Sequence, residues 1–436
     1  MYKKFAVIGK PVSHSLSPYL FKQYINDFDG DYSYSRILCD NVEEAWEIIG
    51  AFDLSGINIT APFKRDILRY CDIKSGDVNT LNVANTILVK DKIYAYNTDV
   101  YGVQKAIERH IDKDAKVLVI GAGGAAKAAL KALQNLNVRH IYIYNRTEDK
   151  ARALADKMNV GLLDDDVRDA FIFDFIINTI PVEASILSKI KLANEGAILD
   201  AGYKNKVLKP FSEDISWQYI DGSEWLKAQG YRAYQLMTGK ASKLKLRIDD
   251  KLIHKHYAKS KIIAFVGMMA TGKSKLARIL AEKLSWRYVD LDAEVEKLAG
   301  ESIAAIFKNK GEEYFRDLES KMLRRFLNEE NIVLATGGGI VLSDENISLL
   351  KERAWNILLY SSPEVSASRI NTEKRPLLKG KNKLELLTDI FEKRRDRYFK
   401  VADIVVNRND FIKDKVANID KTIRLIYEDY SATFLV

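Results

Sequence analysis

Short apolar runs alternate along the chain with longer stretches in which apolar residues recur every three or four positions. In the first half, such runs occupy residues 116–120, 140–144, 175–178 and 197–200, and turn-forming residues bound them. Helical periodicity lies between the runs, for example over residues 125–136. Continuous apolar runs joined by helices are typical of buried parallel strands. The pattern therefore predicts an α/β fold.

A second series of the same kind begins with the run at residues 261–266. The segment between the two series, residues 240–261, is rich in Lys and Arg and contains no Gly or Pro. This composition predicts a helix that continues into a short charged connector, with a boundary near residue 255. No internal repeat relates the two series, so we expect two different parts rather than a duplication.

The overall charge allows acidic ligands but does not indicate a polyanion partner. The 436 residues are 47% apolar and 29% charged, and 68 basic against 60 acidic residues leave a net charge of +8. Lys and Arg are spread through both halves, and no basic run with interleaved aromatic residues occurs. We therefore expect small acidic molecules as partners, and no nucleic acid.

The chain is expected to be cytoplasmic. Cys39 and Cys71 are too few for a disulfide framework, which fits a reducing compartment. No run approaches the ~18–20 apolar residues of a membrane span. The apolar run at residues 5–8 is short and ends at Gly9-Lys-Pro, so it predicts a first strand and not a signal peptide. We expect no membrane partner, and the oligomeric state stays open.

A glycine motif follows the strand at residues 116–120. Gly121, Gly123 and Ala126 match the spacing G-x-G-x-x-G/A, and Gly124 and Ala125 open the next helix. The first glycine makes the tight turn, the second lets backbone amides approach a pyrophosphate, and the helix N-terminus faces the phosphates. An ordinary tight turn is the alternative for this motif taken alone.

The end of the next strand selects between the two nicotinamide dinucleotides. NAD sites usually place an acidic residue there, whereas this chain has Asn145, Arg146 and Thr147, with Lys150 one turn further on. Cationic and hydroxyl groups are suited to a 2′-phosphate, which favours NADP(H). The alternative is that Arg146 is a solvated surface charge.

A phosphate-binding loop follows the run at residues 261–266. Gly267, Gly272, Lys273 and Ser274 fit G-x-x-x-x-G-K-[ST], and Thr271 lies within the loop. Backbone amides of such a loop cradle phosphates, the lysine reaches the β and γ oxygens, and the serine hydroxyl binds Mg²⁺. The motif predicts ATP with Mg²⁺, but it does not identify the acceptor.

The first 248 residues resemble the shikimate dehydrogenases. The resemblance lies in motifs that follow in the order of that family. They are G-K-P-V-S-H-S-L-S-P at 9–18, G-I-N-I-T-A-P-F-K at 56–64, A-N-T at 84–86, Y-N-T-D at 96–99, G-S-E-W-L-K-A-Q at 222–229, and T-G at 238–239.

This resemblance implies the reduction of 3-dehydroshikimate to shikimate with NADPH. It implies that Lys64 and Asp99 are the catalytic pair. A Lys–Asp pair is also chemically suited to the reaction, since the ammonium polarises a carbonyl oxygen. The remaining implied substrate-binding residues are Ser15 and Ser17 for the carboxylate, Asn58, Thr60, Asn85 and Gln229 for the hydroxyls, and Tyr203.

Several positions depart from the pattern of the dehydrogenases. Asn79 competes with Asn85 as the match to the first N-T motif, and Asn85 is preferred for its 14-residue spacing to Asp99. Val100-Tyr101 replaces a glycine after N-T-D, and residues 178–182 lack the usual Gly-Met. Two alternatives therefore stay open. The first half acts on quinate, or it is a non-catalytic binding or regulatory module.

Residues 259–410 resemble the shikimate kinases. The motifs are D-L-D at 290–292, G-E-E-Y-F-R-D-L-E at 311–319, G-G-G at 337–339, R-P-L-L at 375–378, and an arginine four residues before Tyr398. The resemblance implies that MgATP phosphorylates shikimate to shikimate 3-phosphate.

Roles in the kinase part follow from this resemblance and from phosphoryl-transfer chemistry, which needs positioning and positive charge. Arg316 and Arg394 are expected to clamp the substrate carboxylate, beside Gly338 and Gly339. Asp292 is expected to act on the attacking hydroxyl, with Lys273 at the phosphates. The expected metal residues are Ser274 and Asp290, and Arg375 is expected to close over the nucleotide as a lid.

The two resemblances together predict a bifunctional enzyme of aromatic amino-acid biosynthesis. The expected parts are a substrate lobe at residues 1–105 plus 225–250, a Rossmann NADP-binding lobe at 106–224, a connector at 251–260, and a P-loop kinase domain with a parallel sheet, similar to nucleoside-monophosphate kinases, at 261–436.

Overall fold

The computed structural model describes residues 2–25, 31–164, 171–180, 187, 190–202, 208–241, 261–370, 382–409 and 415–435. Packing divides the chain into two compact units. Unit 1 combines Met1–Phe63 with Arg247–Val436, and unit 2 is Lys64–Leu246. The predicted connector, Pro181, Tyr203 and Arg375 lie outside the described residues.

The strands of the described ranges are short. In chain order they are β1 Lys3–Gly9, β2 Tyr32–Leu38, β3 Leu54–Ile59, β4 Ile73–Lys74, β5 Thr86–Val89, β6 Ile93–Tyr96, β7 Lys116–Ile120, β8 His140–Tyr144, β9 Gly161–Leu162, β10 Phe173–Asn178, β11 Leu192–Asp200, β12 Gln218–Asp221, β13 Ile262–Val266, β14 Arg287–Asp290, β15 Ile332–Ala335, β16 Trp355–Tyr360 and β17 Ile404–Asn407.

Helices connect most of these strands. They are α1 Ser17–Ile25, α2 Val42–Ala51, α3 Gly76–Leu81, α4 Thr98–Ile107, α5 Gly124–Asn135, α6 Glu148–Met158, α7 Leu208–Asp214, α8 Gly222–Thr238, α9 Lys273–Leu284, α10 Leu291–Ala299, α11 Ile303–Asn309, α12 Gly311–Phe326, α13 Asp344–Arg353, α14 Pro363–Arg369, α15 Lys383–Val401 and α16 Lys415–Phe434, with 3₁₀ turns at Asp66–Tyr70 and Ile340–Leu342. Within the described ranges, none of the helices combines the length and apolar character that a bilayer crossing requires.

Unit 1 is built on one parallel sheet that includes strands from both ends of the chain. Its strand order is β14-β15-β13-β16-β17-β2-β1-β3. The five strands β13 to β17 belong to the C-terminal segment and β1 to β3 to the N-terminal segment. They join where β17 pairs with β2, with Val405 opposite Ile37. The first 63 residues therefore pack with the C-terminal segment.

The core of unit 1 is also shared. Val7, Val12 and Leu38 lie in one apolar cluster with residues of α9, β13 and α16. On the other side, the ring of Phe52 contacts Tyr360, Phe391 and Phe399, with centroids 5.5–5.6 Å apart. Burial of apolar side chains from both segments stabilises their association.

Unit 2 contains the second parallel sheet, in the order β12-β11-β10-β7-β8-β9. The predicted strands at residues 116–120, 140–144, 175–178 and 197–200 correspond to β7, β8, β10 and β11, so the α/β prediction is confirmed. A smaller group of strands, β5-β6-β4, includes one antiparallel pair, β5 with β6. The unit boundary at residues 63 and 64 differs from the expected lobe boundary at 105, because β2 pairs with β17. The predicted functional parts stay a prediction.

Candidate active sites

An ion pair stands at the expected catalytic position of unit 2. The Nζ atom of Lys64 lies 2.5 Å from Oδ2 of Asp99, and the two side chains are 23% and 13% exposed. Asn97 caps α4 by accepting a hydrogen bond from the Asp99 amide, which places Asp99 in the first helical turn. The pair is partly shielded from water and open to a small molecule.

Polar side chains beside this pair form a connected group. Asn85 Oδ1 accepts hydrogen bonds from the amide and the hydroxyl of Thr98, at 2.7 and 3.1 Å. The Thr98 hydroxyl also donates to Gln229 on α8, at 3.3 Å. Asn79, the alternative to Asn85, is exposed on α3 and donates to the carbonyl of Lys74. Thr98 is the member of this group that sequence reasoning missed.

The departure from the family at Val100 is accommodated by packing. Val100 is buried in the core between α4, α5 and the sheet of unit 2. Gly102, two residues on, lies so close to α8 that a Cβ atom there would be 2.6 Å from the ring of Trp225. The close approach of α4 and α8 brings Asp99 and Gln229 to the same end of this helix pair.

The glycine turn after β7 has the geometry that a dinucleotide requires. Gly121 has a φ of +114°, and a Cβ atom there would collide with the hydroxyl of Thr179. Gly123 caps α5 and has open space where a Cβ atom would be. A Cβ atom on Gly124 would lie 3.7 Å from Cδ of Lys64, so the ion pair stands beside the N-terminus of α5.

Cationic groups surround this helix start. Arg146, Thr147 and Lys150 are exposed after β8, and Asn145 donates to the carbonyl of Thr147 at 2.9 Å. On α5, partial burial lowers the pKa of Lys127, and the charges of Lys157 and Arg65 lower it further. Neighbouring positive charges of this kind fit a ligand with several phosphates. Sequence reasoning missed Lys127.

A buried acid lies at the carboxyl ends of β10, β11 and β12. Asp200 Oδ1 accepts hydrogen bonds from Asn178 at 2.9 Å and from the amide of Gly202 at 3.2 Å. Burial raises the pKa of Asp200, and these hydrogen bonds, with one from Tyr219, partly oppose the shift. Asp200 thus fixes the strand ends around which the sheet edge is built.

The remaining dehydrogenase-type residues lie in unit 1. Residues 12–17, which we call the serine loop, contain Ser15 and Ser17, whose hydroxyl oxygens are 3.1 Å apart. The phenol of Tyr34 donates to Oδ1 of Asn58 at 2.7 Å. The amide of Thr60 donates to the carbonyl of Ile8 at 2.9 Å, at the end of β3. Tyr34, which no motif singled out, joins the polar set through Asn58.

The phosphate loop of unit 1 is formed as its motif predicts. Gly267 and Gly272 have φ values of +138° and +92°, and Gly272 caps α9. The Thr271 hydroxyl donates to the carbonyl of Met268 at 2.9 Å. The Lys273 ammonium lies over the loop and donates to the carbonyls of Gly267 and Met268, at 2.9 and 2.7 Å. The loop backbone therefore surrounds a cation that is available to phosphate oxygens.

The triple glycine joins this loop to the expected acid-binding residues. A Cβ atom on Gly337 would lie 2.7 Å from Oδ1 of Asp292, and one on Gly339 would collide with the guanidinium of Arg316. The carbonyl of Gly338 accepts hydrogen bonds from Arg394 at 3.1 Å and from Tyr398 at 2.5 Å. Only residues without a side chain allow this convergence.

Gly338 also faces the phosphate loop. A Cβ atom on Gly338 would be 3.5 Å from the amide of Met269 and 3.7 Å from the carbonyl of Gly267. The loop, Asp292, Arg316 and Arg394 therefore form one site. Tyr398 was noted only as part of a motif, and its hydrogen bond to Gly338 is a contact that the sequence did not reveal.

Glu319 orients Arg316. Its side chain is only 1% exposed, and Oε2 accepts a hydrogen bond from Arg316 at 2.8 Å, while Glu312 accepts another at 2.9 Å. Burial raises the pKa of Glu319, and the charge of Arg316 opposes this shift. The two carboxylates restrict the guanidinium to one orientation, with one edge toward Gly339.

The expected metal residues lie near the phosphate loop. Ser274 is exposed in the first turn of α9, and Asp290 caps α10. Oδ2 of Asp290 accepts a hydrogen bond from Tyr288 at 3.0 Å. The described residues contain no group of three or more His, Cys, Asp or Glu that is able to hold a metal ion. One hydroxyl and one carboxylate fit Mg²⁺, which is commonly held by few protein ligands together with phosphate and water.

Models of three protein families match successive segments of the chain. The model of the shikimate dehydrogenase substrate binding domain matches residues 7–87. That of shikimate / quinate 5-dehydrogenase matches residues 104–197. The shikimate kinase model matches residues 269–424.

Individual relatives cover both halves. A shikimate dehydrogenase (NADP(+)) of Pyrococcus abyssi is 32% identical over 248 residues, 54% of this chain and 92% of the relative. One from Caldicellulosiruptor bescii is 38% identical over 191 residues, 41% of this chain and 66% of the relative. A shikimate kinase of Persephonella marina is 45% identical over 146 residues, 33% of this chain and 87% of the relative.

A solved structure agrees with the N-terminal half. A shikimate dehydrogenase in complex with NADP⁺ superposes with a TM-score of 0.50 and 28% sequence identity. The match covers 58% of this chain and 94% of that structure.

Proposed function

Because the chain belongs to the shikimate dehydrogenase family in its N-terminal half and to the shikimate kinase family in its C-terminal half, we propose that it is a bifunctional enzyme. It reduces 3-dehydroshikimate to shikimate with NADPH and phosphorylates shikimate to shikimate 3-phosphate with MgATP. For each reaction one observation supports the proposal most. These are the Lys64–Asp99 pair beside α5, and the contact of Gly338 with the phosphate loop.

In the reduction, NADPH supplies the hydride when it is bound. The Lys64 ammonium donates a hydrogen bond to the ketone oxygen and passes a proton to the developing alkoxide. Asp99, 2.5 Å away, holds the ammonium in position and stabilises its charge. Asn85 and Gln229 bind substrate hydroxyls from the polar group around Thr98.

The proposed substrate and cofactor contacts complete this site. Ser15 and Ser17 bind the carboxylate, and Asn58, Thr60 and Tyr203 contribute further substrate contacts. The amides of Gly121, Gly123, Gly124 and Ala125 face the pyrophosphate of NADP(H). Asn145, Arg146, Thr147 and Lys150 bind its 2′-phosphate, which is supported by their exposure after β8 and by the nearby charge of Lys127.

In the phosphorylation, positioning and charge do most of the chemistry. Arg316 and Arg394, near Gly338 and Gly339, clamp the shikimate carboxylate. Asp292 accepts the hydrogen bond of the attacking hydroxyl. The nucleotide contacts are Gly267, Thr271, Gly272, Lys273 and Arg375, and Mg²⁺ is held by Ser274 and, through water, by Asp290.

Two substitutions in the full chain test the two reactions separately. Lys64→Ala should abolish NADPH oxidation with 3-dehydroshikimate and leave ATP use with shikimate unchanged. Lys273→Ala should have the opposite effect. Wild-type protein that oxidises no NADPH would contradict the dehydrogenase assignment, and unchanged phosphorylation by Lys273→Ala would contradict the kinase assignment.

Quinate is the alternative substrate for the first half, and a non-catalytic binding module is the alternative function. Quinate appears in the name of the family model that matches residues 104–197. Assays with quinate and NADP⁺ or NAD⁺, beside shikimate with the same cofactors, distinguish these possibilities. We favour shikimate, since it is both the product of the first reaction and the substrate of the second.

A further inference from the structure

The serine loop is held by a residue from the C-terminal end of the chain. The amides of Val12 and Ser13 donate to Oδ1 of Asp429, at 2.5 and 3.1 Å. The Ser13 hydroxyl donates to Oδ2 of the same carboxylate. Three donors of the loop therefore converge on one side chain, which lies 416 residues further along the chain.

The Asp429 carboxylate is fixed in space. Its side chain is only 3% exposed and lies on α16. Apolar residues of α16, among them Ile426 and Tyr430, pack in the same cluster as Val12. A buried carboxylate is costly unless it is hydrogen bonded, so Asp429 and the loop each satisfy the other.

A second contact restrains the other end of the loop. The carbonyl of Ser15 accepts two hydrogen bonds from Arg36, at 2.6 and 3.2 Å. Arg36 is 1% exposed, and its guanidinium lies 5.1 Å from the ring centroid of Trp355, which begins β16. The backbone on both sides of His14 is therefore anchored to residues that pack with the C-terminal segment.

We propose that Asp429 is a positioning residue for the dehydrogenase reaction. It acts through the serine loop, by fixing the backbone from which Ser15 and Ser17 reach the substrate carboxylate. The inference rests on the proposed function of the first half. Asp429 lies after residue 424, where the kinase family match ends, and it makes its described hydrogen bonds to the loop. Small displacements of binding groups weaken catalysis strongly, which gives this distant carboxylate its effect.

The test compares Asp429→Ala with Asp429→Asn in the full chain. Asn keeps one acceptor oxygen for the two amides, and its NH₂ group donates to the Ser13 hydroxyl. We expect Asp429→Ala to raise the KM for 3-dehydroshikimate about tenfold, because hydrogen bonds to a charged acceptor are lost. The KM for NADPH and the kinase activity should stay within about twofold, and Asp429→Asn should restore most of the loss.

Amide hydrogen exchange of residues 12–17 gives a readout that does not depend on activity. Asp429→Ala should exchange these amides faster, and Glu428→Gln, at an exposed position on the same helix, should leave exchange and KM unchanged. An unchanged KM in Asp429→Ala, or loss of both enzyme activities to the same extent, would overturn the proposal. If Asp429→Ala does not fold, Ser13→Ala decides, since an unchanged KM there contradicts the role of this contact. Wild-type protein without NADPH oxidation would refute the dehydrogenase assignment, whereas the exchange data would still decide on the loop contact.

Discussion

At the scale of single residues, the kinase site depends on positions where a side chain is missing. Gly339 adjoins the guanidinium of Arg316, and Gly337 adjoins Asp292 and Glu319. A glycine at each point lets charged groups approach the backbone closely. Arg316 is flexible at its end, so a methyl group at residue 339 would displace it at little cost in stability.

Gly339→Ala is therefore expected to weaken substrate binding without unfolding the protein. The displaced Arg316 loses its two-pronged contact with the carboxylate, and the KM for shikimate should rise about tenfold or more. Steady-state phosphorylation measures this change, with the melting temperature as the stability readout. Gly50→Ala is the matched control, because a Cβ atom on α2 meets nothing within 4 Å. An unchanged KM for shikimate would contradict the placement of Arg316.

Both thiols are expected to be unreactive at neutral pH. Burial raises the pKa of Cys71 to about 11, and burial also raises the pKa of Cys39. At pH 8 only about one Cys71 side chain in a thousand is then a thiolate. Alkylation of folded protein should be slow at pH 7.5, and its rate at Cys71 should rise about tenfold per pH unit up to about pH 11. Mass spectrometry of labelled protein measures these rates.

Cys71→Ser identifies the reacting site, and urea-unfolded protein is the positive control. A rate at pH 7.5 that equals the rate of the unfolded chain would show that Cys71 is not shielded in the native state.

At the scale of elements, the pairing of β17 with β2 determines how unit 1 is built. Either strand alone would leave an edge of unpaired amides and carbonyls. Polar contacts flank the pair, including the 2.5 Å ion pair of Lys4 with Asp396 and the hydrogen bond of Asn407 to the carbonyl of Glu44. Arg36 on β2 adds contacts to Ser15 and to the carbonyl of Asp403.

Removal of the Arg36 donors should destabilise unit 1. Arg36→Met keeps the length of the side chain but leaves the carbonyls of Ser15 and Asp403 without this donor. We expect a loss of at least about 3 kcal/mol in the free energy of unfolding, since each of these hydrogen bonds involves a charged group. Urea unfolding followed by tryptophan fluorescence measures it. Arg424→Met, exposed on α16, should change stability by less than about 0.5 kcal/mol.

At the scale of the whole molecule, the compact units do not follow the order of the two enzyme families. Unit 1 contains residues matched by the dehydrogenase family models and residues matched by the kinase model. The two sequence families therefore share a hydrophobic core and one sheet. The C-terminal segment is expected to need the first 63 residues for its stability.

Expression of residues 259–436 alone tests this dependence. The segment would expose β17 and the apolar residues that contact Val7, Val12 and Leu38. Each exposed side chain costs about 1.5–3 kcal/mol. We expect aggregation, or a melting temperature at least about 10 °C below that of unit 1 in the full chain. Co-expression of residues 1–63 should restore solubility, and a segment that is fully stable alone would contradict the shared core.

The sequence predicted much of the fold because its signals are local. The four apolar runs of the first half became β7, β8, β10 and β11, and the two glycine motifs each stand between a strand and a helix. Gly121, Gly267 and Gly272 have the positive φ values that such turns require. These features depend on a few neighbouring residues, so one sequence is sufficient to find them.

The sequence could not show which distant groups meet. Tyr34, Thr98 and Lys127 are ordinary residue types in their local context, and only packing places them beside Asn58, Asn85 and the start of α5. The orienting role of Glu319 likewise depends on its burial next to Arg316. No spacing rule connects such partners, because they lie on different elements.

The sequence by itself determined the α/β class, the two nucleotide-binding turns and the order of the two enzyme families. Only the tertiary structure decided that the N-terminal strands join the C-terminal sheet, and that Asp429 meets the serine loop. The physical reason is that edge strands and buried carboxylates must find partners wherever the chain offers them. That choice depends on the packing of the whole chain and not on any local pattern.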